Sequence, residues 1–199
     1  MALLNLLKRR PINYSLAGWS WVWFVMFTLS LFLGLSLPAW ATTSKEYQVK
    51  AVFLFNFAQF VEWPIQAFPE AKTPLVIGVL GEDPFGDYLD ELVRGESVNS
   101  RTLVVKRYSR VEDVGTCHVL FISQSETRNS QKIFAGLNGR NILTVGDLEN
   151  FVPSGGMIGF ASDKGKVRLR INVETAESSG LKISSKLLRS AEIVTSGKK

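Results

Sequence analysis

Across residues 166–171 hydrophobic and polar positions alternate with period two, Val167, Leu169 and Ile171 interleaving with Lys166, Arg168 and Arg170. This spacing predicts a strand with one buried face and one basic face in water. An apolar run at 157–161 precedes it, and Ser162-Asp163-Lys164-Gly165 between the two carries turn chemistry, so together they predict a hairpin. Short apolar runs at 75–80, 102–106, 118–122 and 141–145 predict further strands, with 118–122 the more central.

Helical spacing falls between these runs. A helix is expected over 45–63, capped by Ser44 and stopped by Pro64. A second follows Gly81-Glu82-Asp83-Pro84, with Asp83 as N-cap, Pro84 as the first helical residue, and Phe85, Leu89 and Leu92 inward. A third runs over 126–137 with Ile133, Phe134 and Leu137 inward, and ends at Asn138-Gly139. After Asn172 closes the hairpin comes a short small-residue helix, then a last helix over 181–193 and a polar tail. The order predicts an α/β domain: a layered mixed sheet, mostly parallel with an antiparallel hairpin edge, flanked by helices.

The first helix is apolar nearly all round. Val49, Val52, Phe53, Asn56, Phe57 and Phe60 share one face, while Leu54, Phe55, Ala58 and Val61 cover much of the other. A surface helix would show a polar stripe there. Such a helix is either fully buried in the domain or packed on the sheet on one side and on a protein partner on the other.

The first 41 residues form a separate segment. Lys8, Arg9 and Arg10 precede an apolar run of about 22 residues at 16–37, and Ala39-Trp40-Ala41 follows Pro38. These features predict a secretory signal cleaved after Ala41. The alternative is an uncleaved membrane anchor, because the run is long enough to span a bilayer and Trp19, Trp21 and Trp23 suit its interface. Either way residues 42–199 form a single domain outside the cytoplasm. Removing three charges from the net +5 leaves +2 for that domain, which gives no ground for nucleic-acid binding.

Candidate chemistry is sparse. His118 is the single histidine and Cys117 the single cysteine, adjacent in an apolar strand. No metal-ligand spacing, serine–histidine–acid set, G-x-S-x-G elbow or phosphate-binding glycine loop occurs. The expectation is therefore a non-enzyme without cofactor or metal, with Cys117 as a core residue. Ser123 and Ser125 are expected to cap the helix at 126. Glu62, at the first helix's end, is free to pair with Arg168 or Arg170 or to face a partner. Gly155-Gly156 suits either a tight strand start or a ligand's close approach.

Several stretches resemble one family. Asn56-Phe57-Ala58-Gln59-Phe60-Val61-Glu62-Trp63-Pro64 is similar to the N-terminal signature of YfiR-like periplasmic regulatory proteins, the YfiR/HmsC type. The similarity continues through 79–86, 117–123, 155–172 and 180–188. This resemblance implies a periplasmic domain that binds the periplasmic part of a membrane-bound diguanylate cyclase, or a similar inner-membrane signalling protein. Holding the cyclase inactive would lower cyclic-di-GMP and disfavour biofilm. Relatives can carry paired cysteines under redox control, but Cys117 has no intrachain partner for such a switch.

The expected partner surface comprises Phe57, Phe60, Glu62 and Trp63, with Met157 and Ile158 beside them if the hairpin packs there. A second copy of the chain, in a homodimer, is the other expected partner. The alternative function is a periplasmic small-ligand sensor, with its pocket between the Gly81 turn and Ser123.

Overall fold

A computed structural model describes residues 44–195. The expected export signal over 1–41 lies outside these residues, as does the end of the polar tail. Helix α1 (Lys45–Phe60) leads into strand β1 (Val61–Glu62), a 3₁₀ turn at Ile65–Ala67 and strand β2 (Leu75–Leu80). Helix α2 (Asp87–Val93), β3 (Ser97–Val98), β4 (Arg101–Tyr108) and β5 (Val119–Ile122) follow. A 3₁₀ segment, Gln124–Asn129, then precedes α3 (Ser130–Leu137) and β6 (Leu143–Gly146). The hairpin is β7 (Ile158–Asp163) and β8 (Lys166–Ile171). Next come α4 (Val173–Ser178), β9 (Lys182–Ile183), α5 (Ser185–Leu188) and β10 (Ala191–Ile193).

Eight strands form one sheet in the order β10-β8-β7-β6-β5-β2-β4-β3. Strands β4, β2, β5, β6 and β7 run parallel, β8 returns antiparallel to β7, and β3 is antiparallel to β4. Direction along the sheet reverses at β2, as in doubly wound folds. The layered mixed sheet expected from the pattern is present. Both its faces are covered, which is why β2, β5 and β6 are buried throughout. In β2, Leu75, Ile77 and Val79 join a core with residues of α1, α2 and α4, whereas Val76 and Leu80 join a second core with Ile133 and Leu137 of α3.

The hairpin turns at Lys164 and Gly165, both at positive φ (50° and 73°), the backbone form that matches strand twist in a two-residue turn. In β8, Leu169 and Ile171 are buried while Lys166 and Arg168 are exposed, so the period-two pattern holds.

Local expectations differ in four places. Helix α1 ends at Phe60 rather than 63, because Val61 and Glu62 leave it to pair with β9. Asp83 does not cap a helix: its Oδ1 accepts the Phe85 N–H at 2.7 Å in a turn, and α2 starts only after Gly86, at φ 53°. The helix expected from 126 begins as the 3₁₀ segment and becomes α-helical at Ser130.

The largest difference is the expected helix over 181–193, which is β9, α5 and β10. Gly180 at φ 74° ends the α4 turn, and Ser184 breaks the run by capping the Lys186 N–H at 3.2 Å. Ala191–Ile193 then pairs in parallel with β8, so the hairpin lies one strand in from the sheet edge.

Candidate interaction surface

Two distant stretches meet where α1 ends. Val61 pairs with Ile183 and Glu62 with Lys182 in a separate two-stranded antiparallel sheet. Ser184 adds its N–H to the Phe60 carbonyl at 2.8 Å. Asn141 Nδ2 donates to the Ser179 carbonyl at 2.8 Å and holds the turn before β9. Pro64 packs beside Gly180, where an added Cβ would lie 3.6 Å from the proline Cγ.

The segment after β1 is anchored by a histidine. Trp63 Nε1 donates to the His118 carbonyl at 3.2 Å, and its ring meets the imidazole edge-on at 6.1 Å. Phe68 stacks on that imidazole at 4.4 Å, and the Arg101 guanidinium covers Phe68 at 3.9 Å. His118 Nδ1 accepts the Val76 N–H at 3.0 Å, which places the ring proton on Nε2, the donor to the Ala67 carbonyl at 3.1 Å. Burial pushes the imidazole pKa down to about 4, so the ring is neutral. With both nitrogens engaged, His118 ties the 65–68 turn to the sheet and is not offered to a substrate.

This anchoring leaves a small apolar prominence in water. Ile65 is 73 % exposed, Phe60 and Trp63 are half-buried, and Glu62 is exposed. Further along α1, Val49 and Val52 are also exposed. Of the six expected contact residues, Glu62 is therefore exposed, and Phe60 and Trp63 are partly exposed while packing against the core. The other three are buried. Phe57 is fully buried and stacks with Phe53 and Phe160. Ile158 is fully buried and Met157 nearly so, its N–H given to Thr144 Oγ1 and its carbonyl accepting from Asn172. They are core because β7 enters the sheet at that point. Ile65 was missed: the stretch from Trp63 to Phe68 follows neither helical nor strand period, so nothing in its spacing marks it as outward.

Glu62 does not reach the hairpin arginines. Arg168 lies 3.7 Å from Asp163, and Arg170 lies 3.1 Å from Glu192.

A second polar feature ties α1 down near its start. Lys50 Nζ sits 2.6 Å from Asp147 Oδ2 and 2.7 Å from Glu46, with the side chains of Lys50 and Asp147 both almost wholly buried. The Tyr47 hydroxyl donates to the same Asp147 oxygen at 2.9 Å, and burial together with that carboxylate pushes the phenol pKa up.

The remaining candidates are structural. Cys117 is buried with its thiol pKa pushed up to about 12 by burial, which keeps it protonated and unreactive. Ser125 Oγ accepts the Glu82 N–H at 3.0 Å instead of capping its own segment, and an added Cβ at Gly81 would collide with it. The crevice expected between Gly81 and Ser123 is thus filled by Ser125 and Glu126. At Gly156 the close approach is made by the Phe151 ring rather than a ligand. Among the described residues no group of three or more histidine, cysteine or acidic side chains could hold a metal ion, and no helix is long and apolar enough to cross a membrane.

The surface is thus built from the two ends of one long pattern, residues 56–64 and 180–188, joined by β1 and β9. A family model described as YfiR/HmsC-like matches residues 47–192, spanning both ends and nearly all of the described domain. The chain belongs to the YfiR/HmsC-like family.

Proposed function

We propose that this protein is a non-enzymatic periplasmic regulator that binds the periplasmic portion of a membrane-bound signalling enzyme, a diguanylate cyclase, and holds it in its inactive state. The family's known role as periplasmic regulators supports the reading in general terms. The observation that carries the contact surface is the exposed Ile65 beside half-buried Phe60 and Trp63, on a turn held by His118 and the two-stranded sheet. Aromatic and aliphatic anchors on a rigid support suit recognition, since little side-chain freedom is lost on binding. Regulation follows from differential affinity: a partner that binds one state of the cyclase more tightly shifts its population to that state.

Capture of the full chain with membrane proteins, comparing wild type and Ile65→Asp, tests the surface. Cellular cyclic-di-GMP measured in the same strains tests the consequence. The reading predicts that Ile65→Asp loses the captured cyclase and raises cyclic-di-GMP. Unchanged capture and unchanged cyclic-di-GMP would refute it.

A further inference from the structure

A cavity of about 670 Å³ lies at the carboxyl ends of β5 and β6, the end at which parallel sheets place their ligands. Gln124, Thr127, Asp147, Glu149, Asn150 and Arg170 give it a polar lining, and Phe151 contributes an apolar part. Its size falls within the range of small-molecule sites, roughly 300–1,000 Å³.

Among the described residues three buried side-chain polar atoms make no hydrogen bond: the Tyr108 hydroxyl, Asp147 Oδ1 and Arg170 Nε. The last two belong to residues lining this cavity. Such atoms are uncommon in native folds and call for a physical account. One accepts and the other donates.

Of the three charged residues that line it, Asp147 and Arg170 already have counter-ions, and Glu149 is exposed to water, where solvent screens it. Asp147 holds Lys50 through Oδ2 at 2.6 Å, and Arg170 holds Glu192 through Nη2 at 3.1 Å. A charged ligand would upset that balance. A hydroxyl both donates and accepts, so neighbouring hydroxyls on a neutral molecule satisfy the two free atoms without adding charge. The amides of Gln124 and Asn150 and the hydroxyl of Thr127 suit the same chemistry. Asp147 Oδ1 and Arg170 Nε are covered in the free chain, so a ligand reaches them only when lining side chains shift; Arg170, 40 % exposed, is far less confined than Asp147 at 3 %.

We propose that this cavity binds a neutral, polyhydroxylated small molecule of about monosaccharide size, anchored by Asp147 and Arg170. The proposal stands independently of the partner surface at Ile65.

Nuclear magnetic resonance titration of the isotope-labelled full chain tests it, with glucose, N-acetylglucosamine and glycerol as neutral probes. Glutamate, putrescine and inorganic phosphate serve as charged counterparts. The expected result is saturable shifts at the amides of Gln124, Thr127, Asn150 and Gly159 with at least one neutral probe. Affinity should fall roughly tenfold, about 1.4 kcal/mol, in Arg170→Gln. Thr127→Val, at an exposed position, provides the same comparison should Arg170→Gln fold poorly. No saturable response to any neutral probe at roughly 10 mM, a tighter response to a charged one, or unchanged affinity in the folded variants would overturn the proposal.

Discussion

His118 takes the backbone N–H of Val76 onto Nδ1 at 3.0 Å, so a side chain just before β5 supplies an acceptor to the neighbouring strand β2. Protonation of that nitrogen abolishes the acceptor. The imidazole pKa is lowered from 6.5 to about 4 by burial. Between those values the unfolded chain binds a proton that the folded chain refuses. The stabilisation is therefore complete above about 6.5 and is lost as pH falls toward about 4. Thermal melts across this range should show the loss. In His118→Asn, whose amide oxygen accepts without titrating, the melting temperature should be lower at neutral pH but flatter with pH. Parallel profiles for the two proteins would assign the dependence to other groups.

The Lys50–Asp147 pair makes a second prediction. Removing one partner leaves a buried charge without its counter-ion, so Lys50→Met alone should cost about 3–5 kcal/mol. The Lys50→Met/Asp147→Leu double variant should recover most of that loss, because neither charge remains. Urea denaturation of the single and double variants measures both. Equal losses in the two would contradict the account.

Phe151 lies between two glycines. A Cβ at Gly146 would approach its ring to 2.5 Å, and one at Gly156 would come closer still. The ring is buried and must shift to admit the methyl group, so Gly156→Ala should destabilise the fold by about 1–3 kcal/mol. Gly115→Ala meets nothing within 4 Å and should be neutral to within about 0.5 kcal/mol. Denaturation midpoints decide between a packing effect and a general intolerance of alanine.

Phe57 and Ile65 separate stability from binding. Phe57→Ala removes a fully buried ring and should cost about 3–5 kcal/mol. Ile65→Asp, on a residue 73 % exposed, should change stability by less than about 0.5 kcal/mol while removing partner capture. A large loss of stability in Ile65→Asp would mean that its turn is part of the core.

The central strands were legible because burial on both faces writes them as continuous apolar runs, and β8 because its alternation is clean. The last helix was misread: Ile183, Leu187, Leu188 and Ala191 fit a helical face, yet Ser184 and Gly180 break the segment into pieces stabilised by pairing with β1 and β8. Met157 and Ile158 looked available because their burial depends on β6 and Asn172, partners far apart in the chain. The partial exposure of Phe60 and Trp63 fits the doubly apolar helix end, whereas Lys50 was invisible. A lysine in a helix reads as solvent-facing until Asp147, 97 residues away, is brought against it.

That lysine also settles a question that hydrophobicity leaves open. Because α1 is apolar nearly all round, turning it about its axis exchanges one oily side for another at little cost. Spacing offers two apolar faces, one with 49, 52, 53, 56, 57 and 60 and one with 54, 55, 58 and 61, and does not choose between them; the residues the fold buries are Lys50, Ala51, Leu54, Phe57 and Ala58. The least hydrophobic residue of the buried set thus acts as the key that selects the helix's rotational phase, because only one phase delivers Lys50 to Asp147. Stability and phase should then come apart. In the double variant without either charge, the chain should remain folded while Val49 and Val52 lose their fixed exposure, seen as multiple resonances for their methyl groups. A single set of unshifted methyl signals would show that packing alone holds the phase.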